Sequence, residues 1–470
     1  RGNIMAKKRY RVETDSLGEV KIPFNALWGP QTQRAVDNFP VSGITFNFPF
    51  TRTFIMAMGV IKDAAARANK NLKLLDAARS RAIIKASKEV WSGKHDNQFP
   101  VDIFQTGSGT STNMNANEVI GRLASKYSGV EVDPNDHVNM SQSSNDVIPT
   151  AINISCHCDL EHKLLPALAG LIKAVGEKAK KLEGVTKTGR THLMDAMPID
   201  MSQELNAWKS QLHSSQESLL AVTDKLLFLP QGGTAVGTGI NAHPRFSKEF
   251  AKEVSKLGKI KAKPSNDFFH SLSAQDTSLQ ISGELRNLAS ILMKISNDLR
   301  WMNSGPLTGL GEIELKAMQP GSSIMPGKVN PVIPESVSMV CADVIGNDTT
   351  VAIAAQSGNF QLNVMLPVIA YNVLKSINIL SGALTILSNK AIKTFKVNNK
   401  KIADNLKRNP ILVTALNPVI GYAKAAEIAK KAYREGRPIL DVAIEETNLS
   451  RKKLEKILDP ANLTKGGIKK

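Results

Sequence analysis

The sequence predicts an all-α protein, and three observations lead to that prediction. Aromatic residues make up 5% of the 470 residues, whereas hydrophobic residues make up 42%. This balance favours helices packed through aliphatic side chains over a β-sandwich. Apolar residues recur at spacings of three and four along several long stretches, which is the helical period. Segments rich in glycine and asparagine separate these stretches.

Residues 1–140 are predicted to form a mostly helical N-terminal domain. Residues 10–50 mix Pro, Gly and Asn with short apolar pieces, so we expect loop with little regular structure there. Helical periodicity follows at 54–68 and at 76–91. We expect the natural chain to begin at Met5, with no signal segment before the domain.

Residues 141–395 are predicted to form a central domain of long helices. Few loops separate them, which suggests an elongated bundle. We expect its apolar surface to exceed what one chain can cover, and we therefore expect oligomerisation. The predicted helices are 159–182, 201–229, 276–303, 334–357 and 362–392.

Residues 396–470 are rich in lysine and are predicted to form a small C-terminal helical domain. The periodicity there supports only short helices, at 401–406, 421–435 and 450–458.

The formal net charge is +18, which raises the question of a nucleic-acid partner. The charges are spread along the chain and form no basic stripe interleaved with aromatic residues, so we expect no nucleic-acid partner. A basic surface also steers dianionic substrates. We expect no membrane span, because no run of about 18 apolar residues exists. Dinucleotide-binding and P-loop motifs are lacking.

Cysteines are few and odd in number: Cys156, Cys158 and Cys341. Such usage fits a reducing compartment, and we expect a cytoplasmic enzyme. His157 lies between the first two cysteines, but positions i and i+2 of a helix point to different faces. We therefore expect no metal site. Since dinucleotide-binding and P-loop motifs are also lacking, we expect no cofactor.

Four segments combine small polar residues with Gly, His or Lys. Hydroxyls, amides and exposed glycine N–H groups bind oxyanions, so together they suit a small polycarboxylate. The segments, with their candidate site residues in parentheses, are 107–113 (Ser108, Gly109, Thr110, Asn113), 141–146 (Ser143, Ser144, Asn145), 189–192 (Thr191, His192) and 321–331 (Ser322, Ser323, Lys328, Val329, Asn330). Each alone is most often a helix cap or turn.

His192 lies at a break between two helical stretches and not on an apolar stripe, which favours a role in a site. Glu335 follows Pro334 at a predicted helix start. Its carboxylate is a candidate for orienting His192.

At these segments the sequence closely resembles the fumarase/aspartase superfamily. GSSIMPGKVNP at 321–331 is that superfamily's hallmark, and the resemblance extends over nearly the whole chain, including 29–40, 104–119, 133–146, 189–199 and 232–241.

Within the superfamily, the chain is most similar to the class II fumarases. Ser143-Ser144-Asn145 and Thr191-His192 have the fumarase form, where aspartate ammonia-lyases usually have Ser-Thr-Asn and Thr-Gln. The stretch 344–367 resembles aspartases, which keeps an aspartate ammonia-lyase as the alternative. A structural protein on the same fold, as in the lens crystallins, is a further alternative, although the intact polar set argues against it.

The resemblance implies a three-domain fold in which the central helices of four chains form a twenty-helix core. It also implies active sites shared by three subunits and a dicarboxylate substrate, fumarate or L-malate. In such a site Ser322 is the base, Ser323 contributes an oxyanion contact, and His192 with Glu335 is the acid. The remaining polar residues named above, with Lys328, Val329 and Asn330 among them, bind the substrate.

Fumarases also carry a second carboxylate site on a His-Pro-Asn-Asp stretch. The matching residues here are Asp133, Pro134, Asn135 and Asp136. The leading His is replaced by an acidic residue, which we expect to weaken binding of a dicarboxylate.

Overall fold

The computed structural model describes residues 9–47 and 49–468, so the predicted start at Met5 lies outside the described residues. The described chain is mainly helical, which confirms the all-α prediction. Its helices are α1 (Pro30–Asn38), α2 (Arg52–Asn71), α3 (Ala77–Ser92), α4 (Thr110–Ser128), α5 (Ser144–Asp159), α6 (Leu165–Lys181), α7 (Met201–Thr223), α8 (Phe246–Gly258), α9 (Phe268–Ser273), α10 (Asp276–Met302), α11 (Val332–Ala355), α12 (Leu366–Ile386), α13 (Asn399–Arg408), α14 (Asn417–Ile420), α15 (Tyr422–Glu435), α16 (Ile439–Glu446), α17 (Arg451–Ile457) and α18 (Pro460–Leu463).

Short strands pair in twos between these helices. The antiparallel pairs are β1 (Tyr10–Asp15) with β2 (Gly18–Pro23), β3 (Thr186–Thr191) with β4 (Met194–Asp200), β7 (Ile313–Glu314) with β10 (Lys396–Val397), and β8 (Gly358–Asn359) with β9 (Leu362–Asn363). The parallel pair is β5 (Phe228–Leu229) with β6 (Lys263–Pro264).

The stretch 10–50, expected to be loop, contains the β1–β2 hairpin and α1. Arg11 explains the difference, because this arginine takes a half-buried position where a strand pattern would show an apolar residue. Its guanidinium donates to the carbonyl oxygens of Pro23 (2.9 Å), Ala26 (2.8 Å) and Trp28 (2.6 Å). The hairpin is therefore held partly by polar contacts that hydrophobic alternation does not reveal.

The long predicted helices are present, with ends that shift by a few residues. The predicted helix 276–303 matches α10 closely, while the helix predicted over 201–229 ends at Thr223. Residues 224–227 form a tighter helical turn, and 228–229 form β5. The apolar residues after Thr223 therefore belong to a turn and a strand.

The described residues divide into two compact units. Unit 1 takes those within Arg1–Pro166, Glu217–Ala289 and Ala342–Ser381, and unit 2 takes those within Ala167–Gln216, Ser290–Cys341 and Gly382–Lys470. Helices α6, α7, α10, α11 and α12 each contribute residues to both units. The three-domain division at residues 140 and 395 stays a prediction.

Helix α2 is central to unit 1, where it packs against α3, α5 and α8. Its buried residues include Phe54, Met58 and Ile61. In unit 2 the short C-terminal helices surround a core that includes Leu416 and Ile428. Helices were predicted in this C-terminal region at 401–406, 421–435 and 450–458, and α13, α15 and α17 occupy those positions.

Two helical stretches, Val332–Ala355 and Leu366–Ile392, are long and apolar enough to cross a membrane by length and composition alone. Neither stretch is an uninterrupted apolar run, because polar residues such as Asp343 and Lys375 interrupt them. In unit 1, Asn347 of the first stretch donates to Ser376 of the second at 3.1 Å. Both side chains are buried. A buried polar pair between two apolar helices is compatible with the core of a helix bundle.

Candidate active site

In unit 1, the N-terminus of α4 and the turn before it contain three of the predicted binding residues, Ser108, Gly109 and Thr110. Gly109 is the N-cap of α4 with φ of +74°. A Cβ there would lie 2.8 Å from Ile148 Cγ1, so only glycine fits. Ser108 Oγ and Thr110 Oγ1 lie 2.7 Å apart. The turn thus places two hydroxyls at the positive end of a helix, an arrangement suited to an anion.

Ser143, Ser144 and Asn145 form the N-terminus of α5. Ser143 is the N-cap and forms a capping box with Asp146. Asn113 Nδ2 donates to Ser144 Oγ at 2.9 Å, which brings these two predicted binding residues together. Asn145 Nδ2 donates to Ala235 O at 2.8 Å. One hydroxyl therefore supports the helix, and the other contacts a residue of the first segment.

Asp146 joins α5 to the glycine-rich stretch 232–239 of unit 1. Its Oδ2 accepts from the backbone N–H groups of Gly232 and Thr234, each at 2.9 Å. Burial raises the pKa of Asp146 to about 6, even though these N–H groups favour the carboxylate. This carboxyl fixes the position of the α5 N-terminus and was not singled out from the sequence.

Lys62 is a second residue that sequence reasoning missed. It belongs to α2 and is fully buried. Its Nζ donates to Asn139 Oδ1 and to Gln142 Oε1, each at 3.0 Å. Burial lowers its pKa to about 7, and the charge of Asp146 acts in the opposite direction. Lys62 could have been found in the sequence from its position on an apolar stripe with Ile55 and Met58, where a lysine is expected to be buried.

His192 lies at the tip of the β3–β4 hairpin in unit 2. Thr191 pairs with Met194 across the hairpin, so His192 and Leu193 form the two-residue turn. Their φ angles are +56° and +61°, as in a type I′ turn, which usually requires Asn or Gly. Such strain in non-glycine residues is typical of functional positions. The imidazole is exposed.

A buried ionic cluster supports this hairpin within unit 2. Arg190 Nη1 donates to Glu312 Oε1 at 2.7 Å. Lys187 Nζ lies 2.7 Å from Glu312 Oε2, in poor hydrogen-bond alignment, and donates to Glu204 at 3.0 Å. Lys187 and Glu312 are 2% and 1% exposed. The charges compensate one another, which buried ions require.

The hallmark segment 321–330 forms a closed loop in unit 2. The Gly321 N–H donates to Lys328 O at 2.9 Å, and Asn330 Nδ2 donates to Gly321 O at 2.6 Å. Ser322 Oγ accepts from the N–H groups of Ile324 (3.2 Å) and Met325 (2.9 Å). These donors stabilise negative charge on the oxygen. The side chain of Asn330, predicted as a substrate ligand, closes the loop.

Glu335 lies in the first turn of α11. A cavity of about 470 Å³ in unit 2 is lined by Glu335 together with Lys328, Val329 and Asn330. Arg300 of α10 also lines it and was not predicted. In the part of the chain that the structure describes, no hydrogen bond joins Glu335 to His192, so the orienting role of Glu335 stays a prediction.

The predicted second site forms a wide helical turn in unit 1. Asp133 Oδ1 accepts from the backbone N–H groups of Asn135 (2.7 Å) and Asp136 (2.8 Å). The carboxylate of the chain itself thus takes two donors that a bound carboxylate could use. Asp133, Pro134 and Asn135 line a cavity of about 1100 Å³ that Thr110 also lines.

Residues 9–47 and 49–468 contain no group of three or more His, Cys, Asp or Glu side chains placed to hold a metal ion. Burial raises the pKa of the Cys156 thiol and lowers the pKa of His157. Burial therefore opposes the thiolate form of Cys156 that a metal would need.

Comparison with known proteins identifies the family. A family profile described as "Lyase" matches residues 18–346, and one described as "Fumarase C C-terminus" matches residues 412–465. The chain is 57% identical to "Fumarate hydratase class II 2" of Pseudomonas aeruginosa, over 97% of this chain and 99% of that protein. It is 55% identical to "Fumarate hydratase class II" of Xylella fastidiosa (Temecula1), over 98% of this chain and 96% of that protein.

Among solved structures, the chain matches a recombinant class II fumarase from Schistosoma mansoni with a TM-score of 0.94 and 38% identity. The match covers 97% of this chain and 99% of that one. Neither the names of these relatives nor the C-terminal profile favours the aspartate ammonia-lyase alternative. The agreement extends from end to end in sequence and in fold. The chain therefore belongs to the class II fumarate hydratase family.

Proposed function

We propose that this chain is a hydro-lyase that interconverts fumarate and L-malate. The observation that carries the proposal is the pair of backbone N–H groups that donate to Ser322 Oγ. A serine is a poor base as a neutral hydroxyl, and donors aimed at its oxygen favour the alkoxide. The chemistry of malate dehydration needs such a base, because the proton at C3 is weakly acidic.

In the direction of dehydration, the Ser322 alkoxide removes the proton from C3 of malate. The electron pair moves onto the adjacent carboxylate and gives an aci-carboxylate dianion. Lys328 and the amides of the loop stabilise this added charge where it develops. Ser323 contributes a further contact to the oxyanion. The loop glycines allow closure over substrate and exclusion of water.

The hydroxyl at C2 then leaves with a proton from His192, directly or through a water molecule, so that the products are fumarate and water. Glu335 orients the imidazole and stabilises its protonated form. The exposed position of His192 at a hairpin tip lets it approach a substrate carried by other segments.

Polar groups of several segments hold the two carboxylates of the substrate. The residues are Ser108, Gly109, Thr110, Ser143, Ser144, Asn145, Thr191 and Val329, and Asn113 contributes by donating to Ser144 Oγ. The support comes from the two clusters seen at the N-termini of α4 and α5, where the helix ends add positive potential.

The assembly we propose is a homotetramer with each active site shared by three subunits. Helix α11 supports it, because Met339 and Ile353 on this helix are 69% and 55% exposed in the single chain. Large apolar side chains along one helix favour burial against another copy. We further propose a cytoplasmic enzyme with no nucleic-acid partner and no membrane span.

The test is an assay of the purified chain in the presence of EDTA. We expect ultraviolet absorbance from fumarate to rise with L-malate and not with L-aspartate. Fumarate consumption only when ammonia is added would instead assign the chain to aspartate ammonia-lyase chemistry. The scattered cysteines lead us to expect full activity in EDTA, whereas loss of activity in EDTA would contradict cofactor-free catalysis.

A further inference from the structure

A chain of hydrogen bonds connects a buried lysine of α2 to a serine at the candidate substrate site, all within unit 1. Asn139 Oδ1 accepts from Lys62 Nζ (3.0 Å), from Asn113 Nδ2 (3.2 Å) and from Asn117 Nδ2 (3.2 Å). Asn113 Nδ2 also donates to Ser144 Oγ at 2.9 Å. Two side chains, Asn139 and Asn113, thus connect Lys62 to Ser144.

The direction of these hydrogen bonds decides what Ser144 can offer. An asparagine amide presents either its oxygen or its NH₂ group to a neighbour. Because Lys62 is a donor, Asn139 turns its oxygen toward Lys62. Asn139 Nδ2 then donates to Gln142 O at 3.1 Å. Asn113 must therefore present its NH₂ group to Asn139, and the same NH₂ group reaches Ser144.

Ser144 accordingly accepts from Asn113, and its own hydroxyl proton remains to be donated to a ligand. A reversed Asn113 would take that proton and leave Ser144 with only lone pairs toward an anion. The present orientation is maintained at a cost. Asn113 Oδ1 is buried and has no hydrogen-bond partner among the described residues, and such an unpaired group disfavours folding.

We propose that Lys62 is a positioning residue for substrate binding, which through Asn139 and Asn113 holds Ser144 as a donor to a substrate carboxylate. This inference rests on the proposed function, since it concerns the same dicarboxylate site. Lys62 does not touch the substrate. Both its charged and its neutral forms can donate two hydrogen bonds, so the relay does not depend on the charge.

The test compares Lys62→Met with the unaltered enzyme. Methionine keeps the approximate length and removes every donor. We expect the KM for malate and for fumarate to rise about tenfold, the effect of losing one hydrogen bond to a charged group. We expect kcat to change by less than about threefold, because a carboxylate contact is made equally in ground and transition states.

A double-variant cycle separates positioning from general loosening. In a Ser144→Ala background, Lys62→Met is expected to raise KM by less than about twofold more, because its route to the substrate is already removed. Full multiplication of the two effects would overturn the proposal. So would an unchanged KM in Lys62→Met.

Asn69→Ala provides the matched control. Asn69 is also buried on α2, and it contacts the same segment through Met140 O (3.0 Å) and Ser141 Oγ (2.9 Å), but not Asn139. We expect its KM to stay within about threefold of the unaltered enzyme. An equal rise of KM in both variants would assign the effect to loosening of the segment and contradict the proposal.

A second substitution at Lys62 covers the case in which Lys62→Met does not fold. Lys62→Gln retains an amide donor and is expected to keep KM nearer to that of the unaltered enzyme. If neither variant folds, Lys62 serves stability and the proposal fails. If the unaltered enzyme does not dehydrate malate, the proposed function fails first, whereas an active enzyme with an indifferent Lys62 leaves that function intact.

Discussion

The backbone N–H of Met325 donates to Ser322 Oγ at 2.9 Å. The N–H of Ile324 supplies a second donor at 3.2 Å. Both donors belong to the main chain, so changes in the side chains of these two residues leave them in place. The reactivity of the serine therefore depends on the conformation of the loop more than on its apolar side chains.

Replacing Ser322 by alanine removes the proposed base and leaves the loop closure intact. We expect kcat for malate dehydration to fall at least ~100-fold, the range for loss of a general base. Steady-state kinetics measures this, with size-exclusion chromatography to check the assembly. Ser338→Ala is the control, since Ser338 Oγ donates only along α11 to Pro334 O. A nearly normal rate in Ser322→Ala would remove Ser322 from the role.

The Asp133 carboxylate occupies the backbone donors of the second-site segment. We therefore expect isothermal titration with succinate, which does not react, to give one equivalent per chain. Asp133→His removes the negative charge and restores the leading His of the family pattern, and a second, weaker equivalent should then appear. Asp37→His, at an exposed position of α1, controls for the change of charge. Two equivalents in the unaltered chain would contradict this reading.

The ionic cluster under the β3–β4 hairpin predicts a large cost for Glu312→Gln. Lys187 and Arg190 would each lose a partner, and an uncompensated buried charge costs about 3–5 kcal/mol. The free energy of unfolding in urea measures the loss. Asp298→Asn is the comparison, because Asp298 pairs with Lys294 of the same helix at a more exposed position. We expect this variant to lose less than about 1 kcal/mol of its free energy of unfolding. Similar losses in the two variants would indicate that the cluster is effectively solvated.

Lys62 predicts a pH dependence of stability whose sign follows from burial. Burial lowers the pKa of Lys62 from 10.5 to about 7. Between these values the folded chain binds a proton less readily than the unfolded chain. The charged, buried lysine therefore lowers the free energy of unfolding by its full amount below pH ~7. This destabilisation is lost as the pH rises toward 10.5. The melting temperature of the unaltered chain relative to Lys62→Met should thus rise from pH 6 to pH 9.

Lys70→Met is the control for this comparison, because Lys70 is exposed on the same helix. Its melting temperature relative to the unaltered chain should not change over that range. If the difference in melting temperature between the unaltered chain and Lys62→Met did not change with pH, water would have to reach Nζ.

Asp146 gives a pH dependence of the opposite sign, since burial raises its pKa to about 6. Its contribution to stability is present below pH 3.8 and is lost as the pH rises through 6.

The long helices could be predicted because their stability comes from one apolar stripe, which leaves a period in the sequence. The hairpins could not. In β1 a half-buried position is taken by Arg11, and in β3 the buried residues include Lys187 and Thr188. Where charges and hydroxyls are buried with partners, apolar alternation is lost, and the partners lie far away along the chain.

The candidate site was predicted in part. Ser322, Ser144 and Thr110 belong to segments dense in hydroxyls, which the sequence displays directly. Lys62 and Asp146 were missed because lysine and aspartate are usually solvated. Their importance depends on burial and on residues more than seventy positions away, such as Asn139 for Lys62 and Gly232 for Asp146.

The loop that carries Ser322 is closed by bonds between its own two ends, Gly321 with Lys328 and Asn330. A Cβ at Gly321 would lie 2.4 Å from Lys328 O, so the ends meet as closely as a backbone permits. Such a ring fixes the number of residues it contains. Evolution can exchange the outward side chains between the ends, but an insertion or deletion there would move Ser322 away from its donors.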